Sequence, residues 1–354
     1  MKRNWVAIGT IFLFIGTSIV PSIQSEVPYE KTIITVDDEP GDADFTSIKE
    51  AVNASSPGDT IEVYSGTYPE QDIHIENENI TLLGIAHELG GGNDTGRPFI
   101  KGNVSLGNVL WIEASHVLIS NFIIENSNGY NAGCILANTQ NNITISDCIL
   151  HTLKEGDHLN PGISVRGHSI HIINNEINFC NPGIIAGTDY PLSLTITSNV
   201  ITDGGIYGGI IVNGDEQNIS GNRIARCEEG IRISGTKNVI YGNDIESCPI
   251  CVESTIFDAP EKEQRGNIIT QNNFKNYSRG AWWWRSIIFY FFGVYAIQKD
   301  QWIGNYWDTW IGIGPKGILG LVAIGIGYDE TGIGVIIPWF EYDRHPVKEP
   351  YDIP

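Results

Sequence analysis

Between about residues 118 and 275, apolar and polar residues alternate in short runs, and Gly or Asn separates each run from the next. Alternation with a period of two predicts half-buried strands rather than helices. One run has the form apolar-x-x-Asn-x-apolar. It occurs as "LISNFI" (Asn121), "TISDCI" (Asp147), "IINNEI" (Asn175), "ITSNVI" (Asn199), "ISGNRI" (Asn222), "IYGNDI" (Asn243) and "ITQNNF" (Asn272), with successive anchors 26, 28, 24, 23, 21 and 29 residues apart. A second run, Gly-Ile-x-apolar, alternates with the first, from Gly133 through Gly162, Gly183, Gly209 and Gly230 to a variant at Pro249.

A unit of this size made only of short strands must stack on its neighbours to bury an apolar face, which predicts a solenoid. No unit has room for a helix, and β-branched residues dominate its apolar positions. A parallel β-helix is therefore expected among the solenoids. Its coils would stack about 4.8 Å apart, with hydrogen bonds between coils and columns of Ile inside. Asn at the anchor suits both a left-handed turn and an amide ladder. Cys180, Cys227 and Cys248 fall five residues after their anchors. That register fits buried small hydrophobes, and it leaves a bridge between stacked Cys227 and Cys248 geometrically open.

Both ends of a solenoid expose sheet edges that need cover. Near the N-terminus, Phe45, Ile48 and Val52 share one face of a predicted helix, with Asp44 or Thr46 as N-cap and Pro57-Gly58 as its stop. From Asn276 the chain departs from the repeat and holds seven of the nine tryptophans. Its apolar run 281–297 reaches 17 residues only by including Arg285 and Ser286. A membrane-spanning helix needs about 20. An aromatic, β-rich cap is the expected role, with membrane contact and a Trp-lined sugar platform as alternatives.

Composition narrows the setting. Lys2 and Arg3 precede an apolar run from Trp5 to Val20, which predicts a secretory signal ending at Ser25, or else an uncleaved anchor. The expected organisation is a signal peptide at 1–25, a β-helix with its N-terminal cap at 26–275 and a C-terminal capping region at 276–354. There are 42 acidic against 21 basic residues, a net charge of -21. Such a field disfavours nucleic acid as a partner and suits a secreted, extracellular or cell-surface protein. Seven N-x-S/T sequons agree with that location, although Asn-rich turns produce such triplets by chance.

The order of an amphipathic helix, the segment "SPGDTIEVYSGTYPE" (56–70) and Asn-anchored coils resembles the right-handed, single-stranded parallel β-helix proteins of the pectin-lyase-like superfamily. Within it, the chain is most similar to secreted archaeal proteins grouped with the NosD copper-binding β-helix family. "GNYWDTW" (304–310) and "PWFEYDRHPVKEPYDIP" (338–354) look like the C-terminal signatures of that group. The resemblance covers nearly the whole chain after the leader and implies the fold. It does not single out an activity, since this fold hosts lyases, hydrolases, esterases, epimerases, adhesins and inert surface proteins.

Coil lengths differ because loops bulge at particular corners. The corner after the Asn run is minimal at 227–229 and expanded at 126–132, 151–161 and 203–208. Equivalent corners share one edge of a solenoid. These loops would therefore gather Tyr130, Asn131, His151, Glu155, Asp157, His158, Asn160, Asp203 and Tyr207. Amides, carboxylates and aromatic rings in a shallow groove suit sugar hydroxyls and ring faces, and solvated loops without a ligand are the bland alternative.

A lyase wants a basic residue beside calcium-binding acids, and a hydrolase wants paired acids. Asp157-His158 is the acid–histidine pairing in an expanded loop, with no clearer catalytic signature around it. For copper, His151, His158, His168 and His171 fall within about one coil, but His168 and His171 need not face the same way. Met1 is the sole methionine, so thioether ligands are lacking. The expectation is a non-catalytic module that binds polysaccharide or cell-surface glycan, or builds a surface, without a cofactor or resident metal. A carbohydrate-active enzyme and a NosD-like periplasmic copper-binding protein are the alternatives.

Overall fold

The computed structural model describes residues 31–102, 107–126, 133–152, 159–187, 193–256, 266–289, 299–326 and 333–353. The predicted signal segment lies outside them. Among the described residues, one helix accompanies three sheets of eleven, eleven and ten strands. Each coil contributes one strand to each sheet in turn, and strands one coil apart pair in parallel, as Ile143, Ile170 and Leu194 do. The fold is all-β, a parallel β-helix.

Cross-coil register explains why Ile recurs. In the first sheet Ile61, Leu82, Ile119, Ile145, Ile172, Ile196, Ile219, Ile240 and Ile269 stack into one buried column that ends on Trp302. In another sheet the column runs Ile124, Leu150, Ile177, Ile201, Ile224, Ile245, Phe274 and Trp307. Inward side chains at each level come from alternate strand positions, so a β-branched residue fills a slot without straining the pleat.

The Asn anchors divide into two adjacent rows. The left-handed residues are Asn121, Asp147, Asn174, Ser198, Gly221, Gly242 and Gln271, with φ between 54° and 68°. The buried row lies one residue later and runs Phe122, Cys148, Asn175, Asn199, Asn222, Asn243, Asn272 and Asn305. The anchors taken at Asn121 and Asp147 are therefore one position early. Those two residues make the turn, and the ladder starts at Asn175. The left-handed strain falls on the residue before the ladder asparagine, which is why Gly appears there in three coils, at Gly221, Gly242 and Gly304.

Each ladder amide is a repeating connector. Asn199 donates from its backbone N and from Nδ2 to Asn222 Oδ1, both at 3.0 Å, and Asn222 donates in the same way to Asn243 Oδ1 at 2.9 Å. Each Nδ2 also donates to a backbone carbonyl, as Asn222 does to Ile196 at 2.9 Å. The pattern continues through Asn272 to Asn305, a coil beyond those legible in the sequence. A second buried ladder runs Gln217, Asn238, Asn267 and Asp300.

Because donors in both ladders point toward the C-terminal end, the last rung needs only acceptors. Strand Ile333–Asp343 supplies them. Asp343 Oδ2 accepts from Asn305 N at 2.9 Å, Asn305 Nδ2 at 3.1 Å and Trp307 Nε1 at 3.2 Å, while Oδ1 accepts from Gly304 N and His345 N, both at 3.1 Å. Glu341 accepts from Asp300 N at 3.3 Å and Trp302 Nε1 at 2.8 Å. This strand pairs antiparallel with Lys316–Ile326, unlike the coils. A Cβ at Gly320 would overlap the buried Trp283 ring, so glycine lets Lys316–Ile326 approach its parallel neighbour, strand Gly280–Phe289.

At the other end, helix Ile48–Ala54 buries Ile48, Ala51 and Val52. Its N-cap is Ser47, whose Oγ accepts from Glu50 N at 3.2 Å, rather than Asp44 or Thr46. Asp44 is already engaged by the backbone N and hydroxyl of Thr35, both at 2.9 Å. Glu70 reaches across to accept from Ile48 N and Lys49 N at 2.9 and 2.8 Å. The helix stops at Ala54, before Pro57-Gly58. No helix among the described residues is long and apolar enough to cross a membrane.

Candidate functional site

The corner after the ladder row also stacks in register. Phe179, Asp203, Arg226 and Ser247 each adopt a left-handed φ of 56–59°. Their N–H groups donate to the next coil, Phe179 to Thr202 and Asp203 to Ala225 at 3.1 Å, Arg226 to Glu246 at 3.2 Å and Ser247 to Lys275 at 3.0 Å. One side chain per coil thus lines the same edge. Together with Asn181, Gly205, Ile206, Glu228 and Pro249 they border an open cleft of about 490 Å³. A Cβ at Gly205 (φ 61°) would overlap the Asn181 carboxamide, so glycine permits the loop to fold back there.

The cleft combines apolar and charged surface. Phe179 and Ile206 are 44% and 51% exposed. Arg226 grips Asp203 through two bonds, Nε to Oδ1 at 2.8 Å and Nη2 to Oδ2 at 2.7 Å. The guanidinium holds the Asp203 carboxyl below the ordinary aspartate range. Asn181 Oδ1 accepts from Tyr207 N at 2.8 Å and so fixes the expanded loop at 203–208.

The predicted site residues have different fates. Tyr130, Asn131, Glu155, Asp157 and His158 lie outside the described residues. Asp203 lines the cleft, and Tyr207 borders it through its backbone bond to Asn181. His151 Nε2 sits 2.8 Å from Glu125 Oε2 on the preceding coil. Asn160 is buried and exchanges backbone bonds of 2.7 and 2.8 Å with Asn181. Phe179, Arg226, Glu228 and Ser247 were missed. A signal existed, since each of Cys180, Cys227 and Cys248 is preceded by a corner residue that must point outward.

A second charged group lies on the face of another sheet. Arg232 Nη2 lies 2.6 Å from Glu229 Oε1, and its Nε lies 3.6 Å from Glu253 Oε2. Burial, followed by the neighbouring Glu229 carboxylate, pushes Glu253 up to about 7. All six cysteines are buried free thiols. Cys227 and Cys248 are not bridged, their Sγ atoms donate to Ala225 O and Glu246 O at 3.5 Å, and the neighbouring Cys248 thiol together with burial raises Cys227.

Among the described residues, the side chains that gather three metal-ligand atoms are carboxylates alone: Asp37, Glu39 and Glu88, and Asp38, Glu39 and Asp94. Burial, then Glu88 and the other nearby acids, pushes Asp37 up to about 6. His168 and His171 belong to neither group. An all-oxygen set is a poor match for copper, which is served by imidazole, thiolate and thioether donors.

The family model described as "Periplasmic copper-binding protein (NosD)" matches residues 91–312. No curated protein matches the chain. Among solved structures, the complex of XylC with xylose shares 12% identity, with 88% of this chain and 73% of that chain covered and a TM-score of 0.49. A hyperthermoactive exopolygalacturonase from Thermotoga maritima shares 10%, with 88% and 83% covered and a TM-score of 0.37. At such identities the likeness carries nothing about activity.

Proposed function

We propose that this chain, which belongs to the NosD family of β-helix proteins, is an exported module that binds carbohydrate along its corner cleft without transforming it. The observation that carries the reading is the exposed Phe179 ring beside the clamped Asp203–Arg226 pair in one open cleft. A pyranose presents an apolar face and a rim of hydroxyls. Phe179 and Ile206 suit the face, and Arg226, Glu228 and Ser247 suit the rim. Asp203 is tied by both oxygens to a guanidinium, so it is built to hold a charge rather than to pass a proton.

In this reading residues 1–25 are a removable export signal, consistent with the periplasmic description of the family. The described coils wind right-handed. Helix Ile48–Ala54 and the aromatic strands after residue 276 act as end caps, with Glu341 and Asp343 closing the ladders. The catalytic alternative rests on Glu253, whose raised carboxyl beside Glu229 has the character of an acid partner. Copper chemistry is not assigned, because the described donor set does not suit that ion.

The test is affinity electrophoresis of the full chain against a panel of neutral and acidic polysaccharides, with the mixtures chromatographed for new products. Retardation by at least one polysaccharide without products supports the reading. Products that vanish in Glu253→Gln favour the enzyme, and no retardation by any member overturns the binding role.

A further inference from the structure

We propose that the acidic nest beside the first coil is a binding site for a hard divalent cation of the calcium class, held by Asp37, Asp38, Glu39, Glu88 and Asp94. The decisive residue is Asp37. Its side chain is 0% exposed, and neither carboxylate oxygen has a hydrogen-bond partner. A buried carboxylate without a donor is costly, and a bound cation would offset that cost. Oxygens of Asp37, Glu39 and Glu88 all lie within 4.8 Å of one another, as do those of Asp38, Glu39 and Asp94. Glu39 belongs to both groups, so the oxygens form one continuous nest.

The surrounding chain holds these groups as ligands rather than as ion-pair partners. Asp38 Oδ2 accepts from Thr67 N at 2.9 Å, while its Oδ1 is buried and unpartnered. Glu88 Oε2 accepts from Asp94 N at 3.0 Å, while its Oε1 is likewise unpartnered. In each case a backbone N–H fixes one oxygen and leaves the other for the centre. Glycines make the room. A Cβ at Gly66 would overlap the Asp38 carboxylate, and one at Gly92 would overlap that of Glu88.

Chemistry selects the ion. The donors are all hard oxygens from five carboxylates, and calcium accepts many oxygens in irregular geometry where magnesium demands an octahedron. The nest joins the end of strand Ile33–Val36 to the segment bridged by His87 and Thr95, so an ion there would tie the N-terminal strand to the first coil.

The experiment is equilibrium dialysis of the EGTA-stripped full chain against calcium, alongside thermal unfolding with calcium, magnesium or copper. Saturable calcium uptake, a rise in unfolding temperature larger than magnesium gives, and at least tenfold weaker uptake in Asp37→Asn and Glu88→Gln are expected. Glu216→Gln, on a distant coil, should bind as the unaltered chain does. Because direct uptake by the unaltered chain is read, a variant that fails to fold does not blunt the test. Lack of saturable uptake, uptake indifferent to both nest variants, or stronger uptake of copper than of calcium would overturn the proposal.

Discussion

Replacing Asn222 by Ala removes one rung from the interior ladder, and the structure sets the size of the effect. Four bonds disappear. Nδ2 no longer donates to Ile196 O or Asn243 Oδ1, and Oδ1 no longer accepts from Asn199 N or Asn199 Nδ2. Not all of these losses cost alike. Asn243 Oδ1 keeps the bond from Asn222 N at 2.9 Å, and Asn199 Nδ2 keeps Ile172 O at 2.9 Å and Thr197 O at 3.1 Å. The buried Asn199 N–H loses its acceptor, and the Ile196 carbonyl loses a donor.

A buried polar group left unsatisfied costs about 1–3 kcal/mol. The void left by the carboxamide adds about 1 kcal/mol. With both groups affected, the variant should therefore be destabilised by about 3–7 kcal/mol, a large share of a typical folding free energy. Urea unfolding followed by circular dichroism reads this as a lower midpoint at unchanged slope. Asn218→Ala, at an exposed position of the neighbouring strand, serves as the reference and should change stability by less than about 0.5 kcal/mol. If the two variants unfold at midpoints that differ by less than the experimental error, the ladder does not hold the coils together and the reasoning fails.

Asp343→Asn keeps shape but turns an amide NH2 toward backbone and indole donors; it should cost about 2 kcal/mol in the same urea assay. In the native chain the six buried thiols should resist iodoacetamide and react on unfolding, and burial that pushes Cys148 up to about 12 reinforces this. Rapid labelling of the folded chain would contradict it. The raised Glu253 gives a pH dependence whose sign is fixed. The folded chain keeps this proton up to about 7, while the unfolded chain releases it near 4.5, so stability should fall as pH rises between those values. Glu253→Gln should flatten that slope, and an unchanged slope would assign it to other groups.

The repeat was legible in the sequence because period-two alternation and a recurring Asn survive variation in loop length. Its fine register was not. Two coils carry Phe122 and Cys148 where later coils carry ladder asparagines, so the eye aligned Asn121 and Asp147 with a row they do not join. Only hydrogen bonding separates the turn residue from the rung beside it. Asn305 was missed because 33 residues separate it from Asn272, more than any earlier spacing. The corner was read from its longest loops, and those fall largely outside the described residues. Arg226 and Ser247 sit instead on minimal turns, where shared left-handed geometry, not loop length, brings side chains together. The acidic nest brings Asp37, Asp38 and Glu39 together with Glu88 and Asp94, about fifty residues later in the chain. Its internal closeness depends on the loop at 87–95 folding back, which no local pattern announces.

Whether the corner cleft binds carbohydrate is decided by calorimetric titration of the full chain with an oligosaccharide of the retarding polysaccharide. Saturable binding is predicted, with Phe179→Ala weakening it by about fivefold, the loss of about 1 kcal/mol of ring contact, and Arg226→Ala weakening it further. Binding that neither substitution alters would place the site elsewhere on the solenoid and contradict the claim.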